Sequence, residues 1–133
     1  MRIKRNIQWQ TIWTNIIAGL AAFVIIIGTN AIVHEYILRG AYNALGDFVL
    51  TSAASNSVFF LVMAMLTFFI VELNRHLKDS SIAIGLVVSV IYSLPILLFQ
   101  FFFAIPIMLT VWTILANVFS ITLASYVYEL IRK

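Results

Sequence analysis

Long apolar stretches separated by short polar segments dominate the chain. The longest, residues 80–128, contains no Asp, Glu, Lys, Arg or His. A membrane-spanning helix needs about twenty apolar residues at ~1.5 Å rise each, so this stretch can hold two spans and a turn. Two similar stretches lie upstream, at about 12–33 and 48–71. The pattern predicts an all-α polytopic membrane protein with four transmembrane helices.

Turn and capping residues place the boundaries of these helices. Asp47 can cap the second span, Ser80 or Ser81 the third, and Pro106 suits the first turn of the fourth. We therefore predict a single transmembrane domain over residues 1–133, arranged as two antiparallel hairpins. Its spans cover about 12–33, 48–71, 81–99 and 106–130.

The composition agrees with a lipid-facing surface. Hydrophobic residues make up 63% of the chain and charged residues only 10%, whereas a soluble domain carries roughly a quarter charged residues. The first apolar stretch exceeds the core of a signal peptide, so we read it as an uncleaved span. There are no cysteines, which excludes disulfides and thiolate metal sites.

The basic residues predict the orientation. Four spans place both termini and the 72–79 loop on one side of the membrane, leaving only Arg39 opposite. The positive-inside rule then predicts a multi-pass cell-membrane protein with both termini in the cytoplasm. The net charge of +3 does not indicate nucleic acid binding, because the positive residues form no single patch. The residues on the basic side are Arg2, Lys4, Arg5, Arg75, Lys78, Arg132 and Lys133.

Residues that could carry catalysis are sparse. No predicted span has an ionisable acid, base or histidine near the bilayer centre, where proton relays and many carriers need one. His34 and His76 fall on opposite sides of the membrane, so one chain cannot use both for a haem or metal. We therefore expect no enzyme activity, catalytic residue, cofactor or metal site.

Uncharged polar residues form the best candidate site. Asn56, Asn117 and Tyr92 fall at similar depths on three spans and could face one bundle interior. Interhelical packing contacts are the favoured reading, worth ~0.6 kcal/mol each on average. The alternative is a polar pocket open to the outside. The candidate residues are Ser52, Ser55, Asn56, Tyr92 and Asn117.

The turn between the third and fourth spans is unusually apolar. It contains Phe101, Phe102 and Phe103 and no charge, although turns in water are normally polar. An exposed apolar patch of this kind often marks an interaction surface. The three phenylalanines are either a partner surface or residues immersed in the headgroup layer.

No motif is specific enough to name a family, so function rests on these features. The leading hypothesis is a small integral membrane subunit or accessory protein that acts by helix packing. Its partners would be the lipid bilayer and either another membrane protein or further copies of itself. One alternative is a transporter or channel-like protein for an uncharged or lipid-like molecule, acting as a dimer. Another is an immunity-type protein against an envelope-active toxin.

Overall fold

Four long helices account for nearly all of the residues that the structure describes. A computed structural model describes residues 2–40, 53–77, 80–102 and 105–133. A π-helical turn follows the first helix, with the Leu38 amide donating to the Val33 carbonyl at 2.9 Å. The elements are α1 (Arg2–Ile32), the π-turn (Val33–Ile37), α2 (Ala53–His76), α3 (Ser81–Phe102) and α4 (Ile107–Arg132).

The helices have the length and composition of membrane spans. Their apolar parts are Trp9–Ile37, Ser57–His76, Ser81–Leu98 and Ile107–Arg132. This confirms the prediction of an all-α fold with four candidate spans, and it indicates a multi-pass membrane protein.

Three helices extend well beyond the predicted apolar spans, and α1 begins at Arg2 rather than near residue 12. Helix α2 ends at His76 rather than near residue 71. Glu72 lies 2.9 Å from the Arg75 guanidinium, and the Glu72 carbonyl lies 2.9 Å from the His76 ring. Such pairs three and four residues apart stabilise helices, so this charged segment continues the helix instead of starting the loop. Helix α3 likewise ends at Phe102 rather than at residue 99.

Helix α4 is the central helix of the bundle. It packs extensively against both α1 and α3, whereas α2 makes smaller contacts with α1, α3 and α4, the largest of them with α1. Pro106 precedes α4, and its carbonyl accepts the Leu109 amide at 2.9 Å. The buried positions of α4 run along its whole length: Leu109, Thr110, Ala116, Asn117, Ser120, Ile121, Ala124, Ser125 and Tyr128.

Small residues allow these helices to approach closely. Ala18 and Ala22 of α1 have no exposed surface, as expected for small residues that face another helix. On α3, a Cβ atom added at Gly85 would lie 2.6 Å from the Thr122 Cα atom of α4. The main core therefore combines small residues with larger ones: Ala18, Ala22, Ile26, Met63, Leu66, Ile70, Ile84, Val88, Ile121, Ala124 and Tyr128.

Candidate functional site

A chain of buried hydrogen bonds joins three helices. The Asn74 amide of α2 donates to the Ser125 hydroxyl of α4 at 2.8 Å. Ser125 in turn donates to the Ser81 carbonyl, at the start of α3, at 2.7 Å. Asn74 also donates to the Ile70 carbonyl at 2.9 Å. Because a buried amide in an apolar medium must find partners, this network holds the three helices in one rotational register.

A second polar contact joins α1 and α4. The Asn30 amide donates to the Ile26 carbonyl at 2.9 Å and to the Ser120 hydroxyl at 3.4 Å. Asn30 and Ser120 are both fully buried. Sequence reasoning did not single out this pair or the Asn74–Ser125 pair. Polar residues inside apolar stretches were the available signal, but the pairing depends on how the helices rotate against each other.

The structure places part of the predicted polar set. Asn117 lies on α4 and is 2% exposed, and its Nδ2 atom has no hydrogen-bond partner in the described part of the chain. Tyr92 lies on α3, is half-buried, and packs against the main core. Ser52 and the side chains of Ser55 and Asn56 lie outside the described residues. A shared site for these residues therefore stays a prediction.

The Gln100 side chain links the end of α3 to the start of α4. Gln100 donates to the Ile105 carbonyl at 2.8 Å and accepts a hydrogen bond from the Thr110 hydroxyl. Phe102 is 79% exposed, in keeping with either a partner surface or a lipid-facing residue. Phe103 and the side chain of Phe101 lie outside the described residues.

A partly open cavity of ≈ 180 Å³ lies between the start of α1 and the end of α4. We call it the terminal cavity. The Arg132 guanidinium is anchored beside it by donating to the Asn74 carbonyl at 3.1 Å. Every lining residue is polar or charged, which is unusual in so apolar a chain: Gln10, Thr11, Thr14, Asn15 and Arg132.

The terminal cavity combines a cation with hydrogen-bond acceptors. Thr14 donates its hydroxyl hydrogen to the Gln10 carbonyl at 2.9 Å, which leaves the hydroxyl oxygen as an acceptor. The Asn15 Oδ1 atom is buried and has no partner among the described residues. No carboxylate is among the described residues that line the cavity. Because the Asn15 Oδ1 atom has almost no accessible surface, the groups that the cavity presents include the Arg132 guanidinium and the Thr14 hydroxyl but not this oxygen.

The described residues do not form a metal site. Across residues 2–40, 53–77, 80–102 and 105–133, no three His, Asp or Glu side chains come together as ligands.

Comparison with known proteins gives no match: none of the family models, curated proteins or solved structures matches this chain. The packing of the bundle and the terminal cavity are therefore the basis for a proposed function.

Proposed function

We propose that this chain is a small integral membrane subunit or accessory protein, with both termini in the cytoplasm, that packs against another membrane protein. The observation that carries the proposal is the uneven packing of the four helices. Helix α4 contacts both α1 and α3 along much of its length, whereas α2 is attached by narrower seams.

The seam of α2 follows one helical stripe. Its buried residues recur three and four positions apart, as expected for a single contact face. Asn74 fixes one end of this stripe through its bond to Ser125. The buried residues are Met63, Leu66, Thr67, Ile70 and Asn74.

The rest of α2 presents large apolar side chains outward. Phe68 is 67% exposed and Met65 is 64% exposed, and Leu61, Phe60 and Phe69 lie on the same outer surface. Membrane helices associate by van der Waals packing rather than by the hydrophobic effect, so a face that does not pack within its own bundle lies against lipid or against a partner helix. We assign this outer surface of α2 as the partner-binding face.

The transport hypothesis receives less support from the same structure. A carrier needs a ligand-sized opening beside its polar residues, here Tyr92 and Asn117. The terminal cavity is lined by other residues, near the helix ends. Asn117 instead lies buried within α4.

Site-specific photocrosslinking in native membranes tests the proposal. A benzoylphenylalanine at Phe68 should give one discrete protein adduct, whose mass distinguishes a different partner from a second copy. The matched control is Phe119, an equally exposed phenylalanine on α4. The proposal requires Phe68→Ala to reduce recovery of that adducted partner in mild detergent. Absence of a protein adduct at Phe68, or the same adducts at both positions, would refute the assigned face.

A further inference from the structure

Helix α2 is buried unevenly along its length. Among its described side chains, residues 57–76, the buried ones all lie between Met63 and Asn74. Nearer the N-terminal end, Val58 and Leu61 are 60% and 61% exposed, and Phe59 is half-buried against the main core. Segments with few buried contacts are the ones that move most easily. The N-terminal end of α2 is therefore held less tightly than the rest of the helix.

Polar contacts fix the C-terminal end of α2 to the bundle. The Asn74 amide donates to the Ser125 hydroxyl at 2.8 Å, and the Asn74 carbonyl accepts a hydrogen bond from Arg132 at 3.1 Å. The Thr67 hydroxyl instead donates to the Met63 carbonyl of the same helix, at 2.8 Å. Moving Asn74 away from α4 would leave a buried amide without its partner in an apolar medium, which is costly. Asn74 is therefore the fixed point of α2.

Helices α1 and α3 are held to the beginning of α4 as well as further along it. Leu38, in the π-turn that follows α1, is buried in one apolar cluster with Leu109 of α4. Near the end of α3, the Gln100 side chain accepts a hydrogen bond from Thr110 of α4. Helices α1, α3 and α4 therefore form one body joined along its length, to which Asn74 fixes one end of α2.

We propose that α2 is a pivoting helix whose N-terminal half swings against the body formed by α1, α3 and α4. Val58 is sixteen residues from Asn74, or ~24 Å along the helix. A rotation of ~10° about Asn74 moves Val58 by about 4 Å and Ile70 by only about 1 Å. Met63 is the buried residue nearest the moving end, and its flexible side chain adapts to a changing gap. Lipid tails are as apolar as the side chains that the swing uncovers, so they cover them without a hydrophobic penalty.

The pivot belongs to the chain itself. A membrane protein that contacts exposed residues such as Phe60 would favour one setting of α2, by as much as it binds that setting better than the others. The motion requires no such protein, so it can be measured on the isolated chain. The pivot and the partner-binding face can therefore fail independently of each other.

Distances between paired spin labels, measured by double electron–electron resonance in lipid nanodiscs, test the pivot. The chain has no cysteine, so exposed residues can be replaced by Cys in pairs and labelled. One pair reports on the moving end of α2, one on its fixed end, and one on the body without α2. The pairs are Val58 with Met108, Leu77 with Leu130, and Ile37 with Met108, in that order. The first distance distribution should be at least about twice as wide as the other two, because of its longer lever arm. Equal widths for the three pairs would overturn the proposal.

Substitution of Asn74 tests the position of the fixed point. Asn74→Leu should widen the distribution of the Leu77–Leu130 pair to about that of the moving end. The matched control is Thr67→Val, which removes a buried hydroxyl that is bonded within α2, and it should leave the Leu77–Leu130 distribution unchanged. Equal effects of the two substitutions would show that Asn74 does not fix the helix.

A label pair within α2 separates pivoting from unwinding. Val58 and Phe69 are both exposed and eleven residues apart on α2, so their distance is set by the helix alone. This distribution should be narrow. A wide one would show that the N-terminal end of α2 unwinds instead of swinging, and would refute the pivot. Should Asn74→Leu fail to fold, the widths of these pairs in the chain that retains Asn74 still decide between the outcomes.

Discussion

The contact of α3 with α4 at Gly85 gives a direct test of how the bundle is packed. Replacing Gly85 by Ala adds a single methyl group. That carbon would lie 2.6 Å from the Thr122 Cα atom, 3.1 Å from the Ser125 Cβ atom and 3.3 Å from the Ile121 carbonyl oxygen. Two of these three atoms belong to the backbone, so a side-chain rotation cannot relieve the clash.

The cost can be worked out from these distances. Non-bonded carbon atoms prefer a separation of ~3.5–4.0 Å, so the two helices must part by roughly 1 Å at this point. Overpacking of this kind typically costs ~1–3 kcal/mol. The higher helix propensity of Ala offsets up to ~1 kcal/mol of this loss of stability. Because the clash is with backbone atoms, we expect the upper part of that range, so that Gly85→Ala lowers the free energy of unfolding by about 1–2 kcal/mol net.

Two other glycines of the chain provide matched controls. A Cβ atom at Gly28 would meet nothing within 4 Å, and one at Gly19 would lie 3.9 Å from a Val71 methyl group, an ordinary contact. Both Ala variants should be as stable as the parent or more stable by up to ~1 kcal/mol. Unfolding in mixed micelles with increasing denaturing detergent, followed by tryptophan fluorescence, measures the difference. If Gly85→Ala is as stable as Gly28→Ala, the close α3–α4 contact is not formed.

Three further predictions follow from the buried polar residues and the helix ends. A double-mutant cycle of Asn74→Leu and Ser125→Ala should give a coupling of ~0.6 kcal/mol and up to ~1.7, measured by the same unfolding assay; zero coupling would contradict the hydrogen bond. Asn117→Leu should be neutral or stabilising, because it removes a buried amide nitrogen that lacks a partner, and a loss above ~1 kcal/mol would show a partner outside the described residues. Since the chain has no cysteine, single Tyr36→Cys and Lys133→Cys variants can be labelled with a membrane-impermeant maleimide in intact cells. We expect labelling at residue 36 alone. Labelling at residue 133 would show that the predicted orientation is wrong.

Residue pattern alone was sufficient for the fold class. Length and the absence of charge identify a spanning helix, because the bilayer sets both limits. Ala18 and Ala22 are both buried, as small residues at a helix contact are expected to be. The end of α2 was placed too early because Glu72 and Arg75 look like loop residues in sequence. In the structure they form an ion pair that extends the helix.

The polar contacts could not be derived in the same way. Asn74, Ser125 and Ser81 are far apart in sequence, and their meeting depends on the rotation of three helices about their own axes. From the sequence, Arg132 was interpreted only as one of the positive charges that orient the chain in the membrane. Its place beside Asn15 requires the ends of α1 and α4 to lie together, which no periodicity in either helix specifies.

The central position of α4 has a consequence for biosynthesis. Of the four helices it is the last to be translated, yet α1 and α3 both depend on it for most of their contacts. Until α4 enters the bilayer, the face of α3 at Gly85 lacks the Thr122 backbone against which it packs. A nascent chain halted before residue 107 would thus expose unmatched surfaces to membrane quality-control proteases, and assembly would be completed in one late step.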